Sequence, residues 1–285
     1  MPELPEVETV RRGLERWVIG KKLKNIQALH RRVERPDSWA PITSLEGAKV
    51  TGIKRRGKFL WFELDRPQVL MAHLGMSGQF LVQPIGKADE RHVRARFTLA
   101  GGLQKNRELR FIDQRTFGWL AVDNLSNGIP SMAAHIAPDF FDPGFDQAAV
   151  VANLRTRKSK IKSAILDQQI LSGIGNIYAD ESLWAAKIHP ERICNDLSAR
   201  KINLLIDSAR EIMVRALESG GTSFDDLYIN VNGESGDFER SLAVYGQEGE
   251  GCPRCGREIR RIKFANRSSH FCPKCQPTPR ASGNR

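Results

Sequence analysis

Two cysteine pairs near the end of this 285-residue chain constrain it more than any other feature. Cys252-Pro-Arg-Cys255 and Cys272-Pro-Lys-Cys275 stand sixteen residues apart, a spacing that brings four thiolates round one tetrahedral Zn2+. With four protein ligands no coordination position is left for water or substrate, so the expected cofactor is one structural zinc ion. Between the pairs, Ile259, Ile262, Phe264 and Phe271 suit a small two-stranded unit, and Arg260, Arg261, Lys263 and Arg267 project outward. Such a hairpin buries too little to fold alone, so metal binding supplies the folding energy, on the order of 10 kcal/mol or more. The fifth cysteine, Cys194, has no partner in sequence and reads as a buried apolar residue.

The net charge is +11, and it is segregated. Residues 252–285 hold nine Lys/Arg against Glu258 alone, and Arg155, Arg157, Lys158, Lys160 and Lys162 form a second basic cluster without an acid. Separated clusters of one sign are the footprint of phosphate binding, so the expected partner is nucleic acid. No run of 18 apolar residues exists, so no helical membrane span is expected. The acidic MPELPEVETV start lacks the apolar core of a signal peptide, and a cytoplasmic, nucleoid-associated protein is expected.

Residues 5–17 have Val7, Val10, Leu14 and Trp17 at helical spacing, with Pro5 in the first turn and Gly20 beyond the end. From about 23 to 122 short β-type runs follow: 49–53, 58–64, 69–74, 95–99, 109–112 and 117–122. Together they predict an N-terminal antiparallel β-sandwich domain over 1–130, preceded by a helix. Prolines and glycines from 123 onward place a linker at 131–145. Helices are expected at 146–154, at 160–171, from Asn176 and from Ser198 to the Gly220-Gly221 stop, making a helical domain over 146–246. The zinc finger spans 247–276, and 277–285 reads as a disordered tail. The fold class is therefore α+β.

Pro2 follows the initiator methionine, and removal of Met1 would expose a secondary amine. An α-amino group has a pKa near 8, so part of it is neutral and nucleophilic at neutral pH. Glu3 lies beside it, with Glu6 and Glu8 close behind, and such carboxylates can shuttle protons. By itself this start permits catalysis without requiring it.

The context strengthens it. PELPEVETVRRGL at the N-terminus, RRGKFL (55–60), HLGMSG (73–78), DQRTFG (113–118), ILDQ (165–168), GIGNIYADESLW (173–184), VYG (244–246) and the finger occur in order along nearly the whole chain. This series resembles the formamidopyrimidine-DNA glycosylase (Fpg, or MutM) family of base excision repair.

The resemblance implies a bifunctional glycosylase and AP lyase that excises 8-oxoguanine and formamidopyrimidines from duplex DNA. It implies Pro2 as the nucleophile forming a Schiff base, and Glu3 as proton donor and acceptor. Lys58 would serve β-elimination, and Arg267 would serve δ-elimination and clamp phosphate. A guanidinium with a pKa above 12 suits the clamp better than acid catalysis. Met76, Arg115 and Phe117 match the side chains that fill the gap left by an extruded nucleotide. By spacing alone, Met76 and Phe117 read as sandwich core and Lys58 as a solvated hairpin lysine. Thr116 departs from the basic residue often found there.

The resemblance further implies DNA contacts at His73, His92, Arg157, Lys162, Asn176 and Tyr245. Asn176 opens a helix after Gly173 and Gly175, a natural phosphate site. Glu6 and Tyr228, with the loop 228–238, would hold the damaged base. A monomer is expected. Two other readings stay open: an endonuclease VIII type acting on oxidised pyrimidines, and a non-catalytic zinc DNA-binding protein. The sequence around Pro5 and the Met76, Arg115, Phe117 set favour the Fpg type, and Pro2, Glu3 and Lys58 together argue against the non-catalytic one.

Overall fold

The computed structural model describes residues 2–102, 106–220 and 241–279. Helix α1 (Leu4–Val18) begins at Glu3, which caps it, and Glu6 accepts the Glu3 backbone N–H at 2.8 Å. Gly20, at φ +82°, turns the chain out of the helix. The inner face of α1 carries Val7, Val10, Leu14 and Val18, all buried, each contributing about 1.5–3 kcal/mol by leaving water. On its flank Glu8 holds Arg11, Arg12 and Arg55. Burial raises the Glu8 carboxyl, but these three guanidinium groups outweigh it and bring the pKa down to about 2.

Strands β1 (Lys22–Ala28), β2 (Val50–Arg56), β3 (Phe59–Leu64), β4 (Gln68–His73), β5 (Gly78–Pro84), β6 (Val93–Ala100), β7 (Arg107–Asp113), β8 (Trp119–Ser126) and β9 (Ile129–Pro130) form two antiparallel sheets. Their orders are β1-β6-β7-β5 and β2-β3-β4-β8-β9. Phe62 of β3 meets Phe80 of β5 edge-on at 5.6 Å, and Phe111 of β7 continues the cluster. The predicted sandwich is thus present. Strands β1, β5 and β9 were not expected, because Lys, Gln and Asn dilute β1 and Gly and Pro flank the other two. Phe117 precedes β8 instead of opening it.

Among the described residues this first unit takes the chain up to His135 with Ser219 and Gly220, and the second takes Ile136–Glu218 together with the chain from 241. It contains α2 (Gln147–Arg155), α3 (Ile161–Ile165), α4 (Asn176–Ala185), α5 (Ala199–Glu218), β10 (Arg260–Phe264) and β11 (Arg267–Phe271). Asp146 caps α2 through the Ala149 N–H. The expected helix over 160–171 stops after one turn. Beyond it Gln168 donates to the Leu166 and Ile174 carbonyls and accepts the Gly173 N–H, bracing the turn that leads to α4. The architecture is mixed α+β. No helix among the described residues is long and apolar enough to cross a membrane.

Candidate DNA-processing site and metal centre

Pro2, Glu3 and Glu6 are all buried at the start of α1. The Glu8–Arg55 pair at 3.1 Å and the Arg11 bond to the Ile53 carbonyl fasten this helix to β2. The turn after β2 consists of Gly57, at φ +56°, and Lys58. Lys58 is only 9% exposed, which the solvated-lysine reading does not accommodate. Its charge is felt by His73. Burial, then Lys58, then Arg35 lower that imidazole to a pKa of about 4, so it is neutral at pH 7. His73 stacks on Trp119 and its Nδ1 accepts the Gly75 N–H at 3.1 Å.

Met76 is 38% exposed and Phe117 57% exposed, so neither belongs to the sandwich core. Exposed Arg115 lies over the Phe117 ring at 5.5 Å. The Met76 and Phe117 loops touch: a Cβ at Gly75 would meet the Phe117 backbone at 2.4 Å, so only glycine fits. His92 is half-buried, with Arg94 3.3 Å from its Nδ1.

In the second unit Asn176 is the first residue of α4, and its Nδ2 donates to the Ser268 carbonyl at 3.0 Å. Arg157 donates to Asn153 at 2.7 Å and stays partly exposed. Tyr245 packs edge-on against His270, and its backbone N–H goes to Glu181. Glu181 also accepts from Ala243 and Val244; burial pushes its carboxyl up against these three donors.

Lys162, expected at the DNA, is turned into the protein interior instead. Its side chain is fully buried, with Nζ 2.7 Å from Asp180 Oδ1 and 3.0 Å from the Ser268 carbonyl. An ammonium committed to these partners is not available to a phosphate. It acts instead as an internal tie to β11. Asp180 completes that tie by accepting the Ser269 hydroxyl and the His270 N–H, each at 2.8 Å. Arg267, which opens β11 beside the hairpin turn, is exposed. Tyr228 and the loop 228–238 lie outside the described residues, as does 280–285 of the expected tail.

The sulfurs of Cys252, Cys255, Cys272 and Cys275 all lie within 4.8 Å of one another. Tetrahedral zinc with bonds near 2.3 Å separates its sulfurs by about 3.7 Å, so the set fits one zinc ion. The 3.5 Å between Cys255 and Cys272 is far beyond a disulfide bond of about 2.05 Å. Trp184 donates its indole N–H to Cys252 Sγ at 3.3 Å, and Arg254 lies over its ring at 4.0 Å. Burial raises the Cys252 thiol, but Trp184 and the Arg254 and Cys255 backbone donors bring it down to about 6. Gln276, fully buried, bonds the Cys272 N–H and the Ile188 carbonyl. Cys194 is buried and apart from this cluster, and its thiol is raised by burial. Sequence reasoning missed Asp113, Asp180, Trp184, Glu181 and Gln276, which stood inside or beside recognised motifs but carried no spacing signal of their own.

A capped N-terminal helix on a β-sandwich, a helical unit with a glycine turn and a four-cysteine finger make this an α+β zinc-finger protein. Three family profiles match: the formamidopyrimidine-DNA glycosylase N-terminal domain over 1–120, its H2TH domain over 136–227, and the zinc finger found in FPG and IleRS over 249–278. Formamidopyrimidine-DNA glycosylase of Nocardioides sp. is 53% identical over 98% of this chain and 96% of its own length. The enzyme of that name from Thermobifida fusca is 50% identical, over 98% and 99%. Lactococcus lactis Fpg bound to DNA with an abasic site superposes with a TM-score of 0.84 at 37% identity, covering 97% of this chain and 100% of that one. MutM in complex with DNA containing carbocyclic 8-oxo-G gives 0.83, with the same identity and coverage. The chain belongs to the formamidopyrimidine-DNA glycosylase family.

Proposed function

We infer that this chain is a DNA glycosylase that removes oxidised purines from duplex DNA, and that it also cleaves the strand as an AP lyase. The reading is supported above all by Pro2 and Glu3 being buried together at the capped start of α1, in a chain whose relatives are formamidopyrimidine-DNA glycosylases. Once Met1 is removed, the Pro2 nitrogen attacks the sugar C1′ as the bond to the base breaks. The nitrogen lone pair then forms the iminium as the C1′–O4′ bond breaks and the sugar ring opens, with Glu3 supplying the proton to the departing ring oxygen and exchanging protons with the base. Loss of a C2′ proton expels the 3′ phosphate, a second elimination expels the 5′ phosphate, and water hydrolyses the iminium. Lys58 lies in the same unit and serves the β-elimination, while Arg267 serves the second elimination by holding phosphate.

Met76, Arg115 and Phe117 enter the gap left by the extruded nucleotide. Two apolar side chains replace stacking, and the guanidinium bonds the orphaned base. His73, His92, Arg157, Asn176 and Tyr245 contact the DNA, and Glu6 and Tyr228 flank the damaged base. Zinc, held by the four cysteines, supplies folding energy to the hairpin that presents Arg267. The boundaries proposed are a catalytic domain to residue 130, a linker to 145, a helical domain to 246 and the finger beyond. We further propose that the chain acts as a monomer in the cytoplasm, as suits a bacterial-type repair protein.

Borohydride reduction with a duplex containing 8-oxoguanine opposite cytosine tests the chemistry. The trapped adduct should map to the peptide that begins at Pro2. An adduct on a lysine peptide would remove Pro2 as the nucleophile. Excision of thymine glycol far faster than 8-oxoguanine would favour the oxidised-pyrimidine reading.

A further inference from the structure

Asp113 is completely buried at the end of β7, and its carboxylate serves two separate loops. Oδ1 accepts the Ser77 hydroxyl at 2.5 Å and the Arg115 N–H at 3.1 Å. Oδ2 accepts the Gly118 N–H at 2.7 Å. Ser77 follows Met76, while Arg115 and Gly118 bracket Thr116 and Phe117. The residue itself is fixed, since its N–H donates to the His92 carbonyl at 3.0 Å and its carbonyl accepts Arg94 Nε at 2.8 Å. Thr116 is held at φ +54°, a conformation that β-branched residues avoid and that persists only where neighbours impose it. Here the bonds from Asp113 fall on both sides of it.

We propose that Asp113 is a positioning residue that fixes the spacing between Met76 and the Arg115–Phe117 pair, so that both loops enter the duplex as one preorganised unit. The proposal rests on the reading that these three side chains fill the gap in the stack. Loops ordered before binding lose less entropy at the interface than loops ordered by it. The carboxylate is needed on both sides because an amide offers one acceptor oxygen and places an N–H₂ on the other side. Asp113→Asn therefore keeps an acceptor for only one of the Gly118 and Arg115 N–H groups and turns a donor towards the other, which loosens one loop; the Ser77 hydroxyl, which also accepts the Arg115 N–H at 3.0 Å, compensates only in part.

The test compares two substrates under single-turnover conditions: duplex with 8-oxoguanine opposite cytosine, and a single-stranded oligonucleotide with an abasic site. The second needs attack at C1′ but no gap filling. Asp113→Asn should slow the duplex reaction roughly tenfold or more while single-strand trapping stays within about twofold, and Ser77→Ala should show a smaller loss on duplex only. Equal losses on both substrates in both variants, or no loss on duplex, would overturn the proposal. Met76→Ala with Phe117→Ala is the reference. Undiminished duplex activity there removes the gap-filling reading itself, whereas failure of the parent to trap either substrate removes the Pro2 chemistry.

Discussion

Lys162 and Asp180 form a fully buried ion pair at 2.7 Å, and through it the α3 turn, α4 and β11 share one polar centre. Breaking one partner of such a pair strands the other charge, so Lys162→Met should destabilise the protein by ~3–5 kcal/mol. The salt dependence of DNA binding separates this from a phosphate contact. Loss of a contact would reduce the log–log slope by about 0.9, whereas the buried pair predicts an unchanged slope with a lowered Tm. Replacing both partners with apolar residues should recover part of the lost stability.

Trp184 bonds a zinc-ligand sulfur and is itself covered by Arg254. Groups that hold metal ligands from outside affect metal retention more than fold. Trp184→Phe keeps an aromatic ring, though a smaller one, and removes the N–H, and should speed zinc release to excess chelator by roughly tenfold. The charge-transfer band of the Co2+-substituted protein should also shift. Unchanged release kinetics and an unshifted band would show the indole N–H to be without influence on the metal.

Removal of the metal should separate the two ends of the chemistry. Cys252→Ser with Cys255→Ser should lose tight duplex binding, because the hairpin presenting Arg267 no longer folds. The N-terminal amine should still be trapped by a single-stranded abasic oligonucleotide at high concentration. Duplex affinity equal to the parent would contradict the role given to the finger.

His73 sets a pH dependence. Its folded pKa of about 4 lies below the ordinary imidazole value of 6.5, so the unfolded chain binds more protons between these values. Folding holds the imidazole neutral where the unfolded chain would protonate it, so stability present above pH 6.5 is lost as pH falls from 6.5 towards 4. The slope approaches on the order of 1 kcal/mol per pH unit from this group. Urea midpoints at pH 7.5, 6 and 5 should fall more steeply in the parent than in His73→Gln. Glu8 contributes separately and at lower pH: its stabilisation is present above 4.5 and lost as pH falls to about 2.

Much of this protein could be read from its sequence. The cysteine spacing identified a site that the sulfurs indeed form, and the α1 periodicity with its Pro5 start matched the helix to within a residue at each end. The central strands were legible because uniform apolar runs mark them, whereas polar β1 and glycine-flanked β5 carried no comparable signal. Met76 and Phe117 show the limit clearly. Spacing alone read them as core, their motifs read them as exposed, and burial decided for exposure.

The four zinc ligands, the Pro2-Glu3 start and the succession of helix, strands, helices and finger were determined by the sequence itself, because each depends on neighbours within a turn, a strand or a short loop. Tertiary structure alone decided that Lys162 faces inward, that Trp184 reaches Cys252, and that one carboxylate at Asp113 ties two loops. The physical reason is separation along the chain. Lys162 meets Ser268 across 106 positions, Trp184 meets Cys252 across 68, and Asp113 meets Ser77 across 36. Whether a charge finds a buried partner or a phosphate depends on what folding brings beside it, and no local pattern records that.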